Sequence, residues 1–415
     1  MLEQEHQYQT PAGSIEQFAS SRSRLSRPVA TGAWMVVARH GADVYDLVYE
    51  ACSEFGSRVP AVSHFSPDRG DGDEDNHSDA IIFPQVGMAV VDYKDDRASN
   101  ALIARQLQEH DDIAASLPEF YAFATAEPIY SDTDVESWGR QATGIPKTDY
   151  TGKGIRVAVL DTGVDAGHPD LANRVTASRS FVESESVDDG NGHGTHCAGT
   201  VAGIRAVQTV PRYCVAPEAD LIIAKVLSNA GWGKQRAIIA GMLWAVDEGA
   251  HVISMSLGSP VGVGQSHNPA YENLAKYALD NGSLVVAAAG NDSDRRYNHV
   301  APINAPADSP SAMAIAAVDQ DLTVADFSNG GINVDASVSV AAPGVNVVSS
   351  WPRPRNHRAI SGTSMACPHV AGIAALWAEA DSRLRGSQLA GKLVEAAVSI
   401  GGLPRDVGRG LVQAP

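Results

Sequence analysis

Four cysteines in 415 residues, Cys52, Cys197, Cys214 and Cys367, are too few for a disulfide scaffold, so the fold must rest on its core and the thiols read as reduced. Cations are scarce as well. Thirty-one Lys and Arg against 49 Asp and Glu give a formal net charge of -18, which argues against a nucleic-acid binder, since that needs clustered cations to neutralise phosphates. No stretch reaches the roughly 18 uninterrupted apolar residues of a membrane span. The polar residues 1–28, rich in Ser and Arg, lack the apolar run of a secretory signal, and this absence predicts a cytoplasmic protein. Aromatic residues make up only 6% of the chain, yet 44% of it is apolar, which suffices for the core of a globular enzyme of two or three domains.

The apolar pattern changes character once along the chain. Residues 32–39 read as a strand, 43–55 as an amphipathic helix, 80–92 as one or two strands and 99–110 as a second helix, which together make a small α+β unit. Inside it, Asp71, Asp73 and Asp75 imitate the start of a calcium loop. The imitation fails where glycine and glutamate are needed, since Asn76 and Ile82 stand there, and a solvated acidic loop is the better reading. A polar, breaker-containing link follows at 125–136. Beyond it, short apolar runs at 155–160, 221–226, 252–257, 283–289 and 312–318 alternate with helical segments at 194–202, 234–248 and 268–280. That alternation predicts a mainly parallel sheet covered on both faces, with chemistry at the carboxyl ends of its strands.

Chemistry-bearing residues fall at such ends. Asp161 closes an apolar strand in a turn, where a structural Asp is the plain alternative. His193 sits in Asp189-Gly-Asn-Gly-His193-Gly-Thr-His196-Cys-Ala-Gly199, a glycine-rich loop that opens a helix. His196 and His168 would allow a metal, but the motif offers no matched carboxylate. Asn291 ends the strand 284–290 with an amide able to donate to an oxyanion. Ser364, in Gly362-Thr-Ser-Met-Ala, starts a buried helix; a serine there is ordinarily a cap, and Pro368 is tolerated if the first turn needs no donor from it.

An acid, a base, an oxyanion donor and a nucleophile therefore occur in the order Asp161, His193, Asn291, Ser364. The blocks Asp161-Thr-Gly, His193-Gly-Thr-His-Cys-Ala-Gly-Thr and Gly362-Thr-Ser-Met-Ala-Cys-Pro-His-Val-Ala-Gly resemble the three signatures of the subtilisin-like serine proteases, and the likeness runs from about Trp138 to the end. The resemblance implies an α/β, subtilisin-like three-layer fold at 137–415, preceded by a leader at 1–30, a ferredoxin-like α+β prodomain at 31–124 and a linker at 125–136 with the processing site. It implies a serine endopeptidase with Asp161, His193 and Ser364 as triad and Asn291 as oxyanion donor.

Less directly, the resemblance carries over a groove. Ser256, Leu257 and Gly258, with Gly231, Trp232 and Gly233, resemble the two segments that pair with a substrate strand. Ala288, Ala289 and Gly290 resemble a wall of the first pocket, and Asn304 resembles its floor. No acidic residue marks that floor for basic side chains, so an apolar or medium-sized side chain is expected before the cut. Asp170 matches a carboxylate that helps bind a structural calcium in many relatives, but the accompanying loop is replaced by residues 204–213; no cofactor is required for the chemistry. Expected partners are a protein or peptide substrate and the chain's own segment 31–124 as inhibitor, on a monomer with no membrane association. A catalytically idle scaffold, or a processing protease dedicated to one partner, are the alternatives. Most relatives with such prodomains are exported, which stands against the cytoplasmic expectation.

Overall fold

The computed structural model describes residues 30–55, 61–64, 79–92, 97–124, 136–204, 210–297 and 299–415. The acidic residues 71–75 and most of the expected linker lie outside them. The N-terminal unit runs β1 (Ala30–Ala38), α1 (Val44–Phe55), β2 (Val62–His64), β3 (Ala80–Phe83), β4 (Met88–Val91), α2 (Arg97–Gln108) and β5 (Ile113–Ala124). Its strands lie in the order β5-β1-β4-β3-β2, antiparallel except for the β2–β3 pair.

After a short helix α3 (Trp138–Ala142), the chain builds a second sheet. Its strands are β6 (Arg156–Asp161), β7 (Val175–Ser180), β8 (Asp220–Lys225), β10 (Val252–Met255), β12 (Leu284–Ala288), β13 (Met313–Val318) and β14 (Val338–Pro343). They lie in the order β14-β13-β12-β10-β6-β8-β7, all parallel. Helices α4 (His193–Ala202), α5 (Gln235–Asp247), α6 (Pro269–Asp280), α7 (Thr363–Ala380), α8 (Gly386–Ala396) and the short α9 (Pro404–Val407) complete it. The small strands β9 (Trp232–Lys234) and β11 (Leu257–Gly258), with the hairpin of β15 (Val347–Trp351) and β16 (Asn356–Ile360), lie outside this sheet.

Strand alternation explains the layers. Val157, Val159, Leu221 and Ile223 face α4, α7 and α8, packing with Cys197, Val201, Val370, Ile373 and Leu389. Ala158, Leu160, Ile222 and Ala224 face the other way, onto Ile238 and Met242 of α5 and Leu274 of α6. Both faces of the central strands β6, β8, β10, β12 and β13 are buried, so these read as nearly unbroken apolar runs, whereas β7 at the sheet edge is mixed. This is the three-layer arrangement with a parallel sheet expected from the sequence.

The same two-sided pattern governs the N-terminal sheet. Val36, Ile82, Ala89 and Val91 pack on Val48 and Cys52 of α1 and Ile103 and Leu107 of α2. Met35, Val37, Ile81, Phe83, Met88 and Val90 join the core beneath α5 and α6 instead. Glu119 on β5, itself fully buried, accepts from the Arg236 backbone N–H at the start of α5 (3.1 Å) and pairs with the Arg236 guanidinium, which also meets Asp92 (2.6 Å). A carboxylate at that helix start meets unpaired N–H groups and the positive end of the dipole. Among the described residues no helix is long and apolar enough to cross a membrane.

Candidate active site

Strand β6 ends in Asp161, and the first residue of α4 is His193. The carboxylate grips the imidazole with both oxygens, at 2.8 and 2.9 Å from Nδ1, in a place where Asp161 is 1% and His193 3% exposed. This contact fixes Nδ1 as the protonated nitrogen. Nε2 is buried without a hydrogen-bond partner, which is the state a proton acceptor needs. The loop before His193 is held by Asp189: one oxygen accepts from Thr162 Oγ1 and from the N–H groups of Asn191 and Gly192, and the other from the N–H and hydroxyl of Thr195. Sequence reasoning missed Asp189, although an acid four residues before a helix-opening His is a visible capping signal.

Ser364 is the second residue of α7. Because the helix begins at Thr363, Pro368 lies past the first turn, contrary to expectation, and the Ser364 carbonyl loses the N–H it would normally accept. Ser256 supplies the replacement: its hydroxyl donates to the Ser364 carbonyl at 2.8 Å, while its own carbonyl accepts the Ser364 hydroxyl at 3.2 Å. The missing helix bond thus ties the serine to the segment between β10 and β11. Cys197, one turn into α4, touches both sides of the site, with Sγ 3.9 Å from His193 Nδ1 and donating to the Ser364 carbonyl at 3.6 Å. Burial pushes its thiol well above the ordinary value, so it is a neutral spacer. All four cysteines are buried and unpaired.

Asn291 follows β12. Its side-chain oxygen accepts from the N–H and the hydroxyl of Thr363, both at 2.9 Å, which fixes the amide flip and leaves the NH2 end as the donor. Gly290 before it has φ +112, and a Cβ there would lie 2.3 Å from Asn329 Nδ2 and 2.6 Å from Asn304 Nδ2, so only glycine fits. Asn304, expected as the pocket floor, lies behind this wall, its N–H on the Ala289 carbonyl at 2.9 Å. Its amide and that of Asn329 both donate to Asp292, at 2.8 and 2.9 Å, so an acid not counted in the sequence does stand by the pocket.

Gly231 closes the turn that leads into β9, whose first residues are Trp232 and Gly233, and Leu257 and Gly258 form β11. Strand β5 pairs antiparallel with both: Tyr121, Ala122 and Phe123 lie opposite Lys234, Gly233 and Trp232, and Phe123 and Ala124 opposite Gly258 and Leu257.

The remaining histidines are core groups. His196 Nε2 donates to the carbonyls of Val347 and Arg358, His369 Nδ1 donates to that of Met365, and burial lowers them to about 3 and about 4. Asp170 does not fit a calcium ligand. Its fully buried Oδ2 accepts from His357 Nε2 at 2.7 Å and from the Tyr213 hydroxyl, hydrogen donors where an ion would want oxygens.

The Subtilase family matches residues 152–410. Thermitase of Thermoactinomyces vulgaris is 42% identical over 228 residues, covering 55% of this chain and 76% of that protein. Subtilisin Savinase of Lederbergia lenta is 40% identical over 275 residues, 66% of this chain and 94% of the relative, and an alkaline protease of Shouchella clausii is 40% identical over 66% of this chain and 67% of its own. Among solved structures, Sphericase superposes with a TM-score of 0.59 at 35% identity, over 67% of this chain and 98% of that one. These relatives overturn the cytoplasmic expectation, since secretion is the usual state of such proteases. Proteases of this kind act on protein substrates and need no cofactor for catalysis. With the family matched over more than half of its length, the chain belongs to the subtilases and is a subtilisin-type serine endopeptidase.

Proposed function

We propose that the chain is a self-inhibited precursor in which Asp161, His193 and Ser364 form the catalytic triad and residues 31–124 serve as chaperone and inhibitor. The pairing of β5 across β9 and β11 carries this reading. The strand ends at Ala124 opposite Leu257, one residue from Ser256, whose carbonyl accepts the Ser364 hydroxyl. A peptide strand lies where strand addition would lay a substrate.

In the reaction, Ser364 Oγ adds to the carbonyl carbon of the scissile bond while its proton passes to His193 Nε2. Asp161 holds the Nδ1–H and stabilises the imidazolium. Asn291 and the Ser364 N–H, at the positive end of α7, receive the oxyanion. Collapse breaks the C–N bond, and the amine leaves with the proton from Nε2. Water then repeats the sequence on the acyl ester, its proton going to Nε2 and then to the departing Ser364 oxygen. Along the groove, the small residues Ala288, Ala289 and Gly290 support an apolar or medium-sized side chain before the cut, with the Asp292 carboxylate already engaged by the Asn304 and Asn329 amides. The enzyme acts as a monomer on protein or peptide substrates.

Self-cleavage falls between residues 122 and 134, mostly outside the described residues. Mass spectrometry of wild type and Ser364→Ala tests it: the wild type should give two pieces cut in that window and the variant one full-length chain. Full-length chains from both would refute self-processing.

A further inference from the structure

Lys225 ends β8, opposite Asp161 on β6 and Ser180 on β7, and its side chain is 0% exposed. An ammonium buried this far costs several kcal/mol unless oxygens replace its water. Four do, and they come from three separate segments. Nζ donates to the carbonyl of Thr162, to that of Asp188 (3.4 Å) and to Asn229 Oδ1 (2.8 Å), and it pairs with Glu185 Oε2 (3.2 Å).

Each grip leads to a part of the reaction site. Thr162 follows Asp161, and its hydroxyl donates to Asp189 and accepts from the Gly194 N–H, both at 2.9 Å. Asp188 and Glu185 belong to the loop that delivers His193. Asn229 bridges to that loop: its side-chain oxygen also accepts from the Gly190 N–H (2.9 Å) and its carbonyl from Asn191 Nδ2 (3.1 Å). The turn carrying Asn229 closes with the Ser228 N–H on the Trp232 carbonyl at 2.8 Å, the first residue of β9.

We propose that Lys225 is a positioning residue: one buried ammonium sets the turn after Asp161, the loop before His193 and the turn into β9 in a common frame. It touches no reacting atom. It acts by holding the Asp161–His193 pair in register with the edge that receives the substrate strand, where an error of about 1 Å can cost a hundredfold in rate. The inference rests on the triad reading above.

The test uses the full chain, matured and titrated with a serine-directed phosphonate, so that kinetics are counted per active site. Lys225→Met should lower kcat at least about tenfold on both an extended peptide anilide and a small acetyl ester too short to reach β9, and raise KM only on the peptide. A residue that merely stabilises the fold would reduce yield and Tm but leave both constants per titrated site unchanged. Values within about twofold of wild type overturn the proposal. Should Lys225→Met give no titratable protein, Asn229→Ala makes the same measurement by cutting the link from the ammonium to Gly190. It should lower kcat on both substrates at least about threefold, and an unchanged kcat overturns the proposal. Failure of the wild type to be titrated would fail the triad reading itself, which is a different result from normal titration with unchanged variant kinetics.

Discussion

Asn291 has its amide oxygen pinned by Thr363, so replacing it removes an oriented donor without disturbing the Asp161–His193 contact. Asn291→Ala should lower kcat by roughly 10²–10³ with KM nearly unchanged, the magnitude known for the corresponding donor of subtilisin; steady-state kinetics on a peptide anilide check it. Asp308 makes a separate prediction about pH. Its carboxyl is 2% exposed, and burial, with Glu272 nearby as the lesser cause, pushes it up to about 7. The folded value lies above the unfolded one near 3.9. Its contribution to stability is therefore whole below about pH 4 and lost as the pH rises through about 7. Asp308→Asn, placed on Ser364→Ala to prevent autolysis, should raise Tm at pH 8 by roughly 2–6 °C and leave little gain at pH 4, as read by calorimetry. An equal shift at both pH values would count against titration as the cause.

At the level of elements, β5 does two jobs that composition alone does not separate. It is a strand of the N-terminal sheet against β1, and its last four residues bridge β9 and β11. Glu119 lies where these roles meet, on the start of α5 and on Arg236. Glu119→Ala leaves Arg236 buried against Asp92 alone, and breaking one partner of a buried pair is costly. The inhibition constant of the cleaved N-terminal segment for the mature enzyme should rise roughly 30-fold or more, measured by titrating enzyme activity with that segment. No change would mean that β5 binds through its backbone pairing only. Helix α7 makes a similar point. Pro368 is visible in the sequence, but the consequence is visible only in space, where the Ser256 hydroxyl takes the carbonyl that Pro368 leaves without its usual donor.

For the whole molecule, both faces of the N-terminal sheet are apolar, and one of them, with Met35, Val37, Ile81, Phe83, Met88 and Val90, joins the core shared with α5 and α6. Each such side chain gains about 1.5–3 kcal/mol by burial, so six of them represent about as much as the roughly 5–15 kcal/mol a domain holds in reserve. Residues 30–124 expressed alone should give weak near-ultraviolet circular dichroism and no cooperative melt, and should gain both when mixed with the Ser364→Ala catalytic part; a cooperative melt alone would refute this. The chain order Asp161, His193, Asn291, Ser364 and the runs of small apolar residues fixed the family, the parallel sheet and the strand ends by themselves, because short-range pattern and motif spacing are written locally. β7, β14 and the hairpin of β15 and β16 were not legible, since mixed polar strands such as Val175–Ser180 and Asn356–Ile360 owe their pairing to neighbours. Nor could sequence alone assign Asp170, whose carboxylate is taken by Tyr213 and His357 from distant segments, or reveal Asp292 beside Asn304 and Lys225 beneath the triad loops. Motif residues declare their chemistry in one dimension, whereas the partner that satisfies a buried charge or a lost backbone bond is chosen only when remote segments come within hydrogen-bond reach.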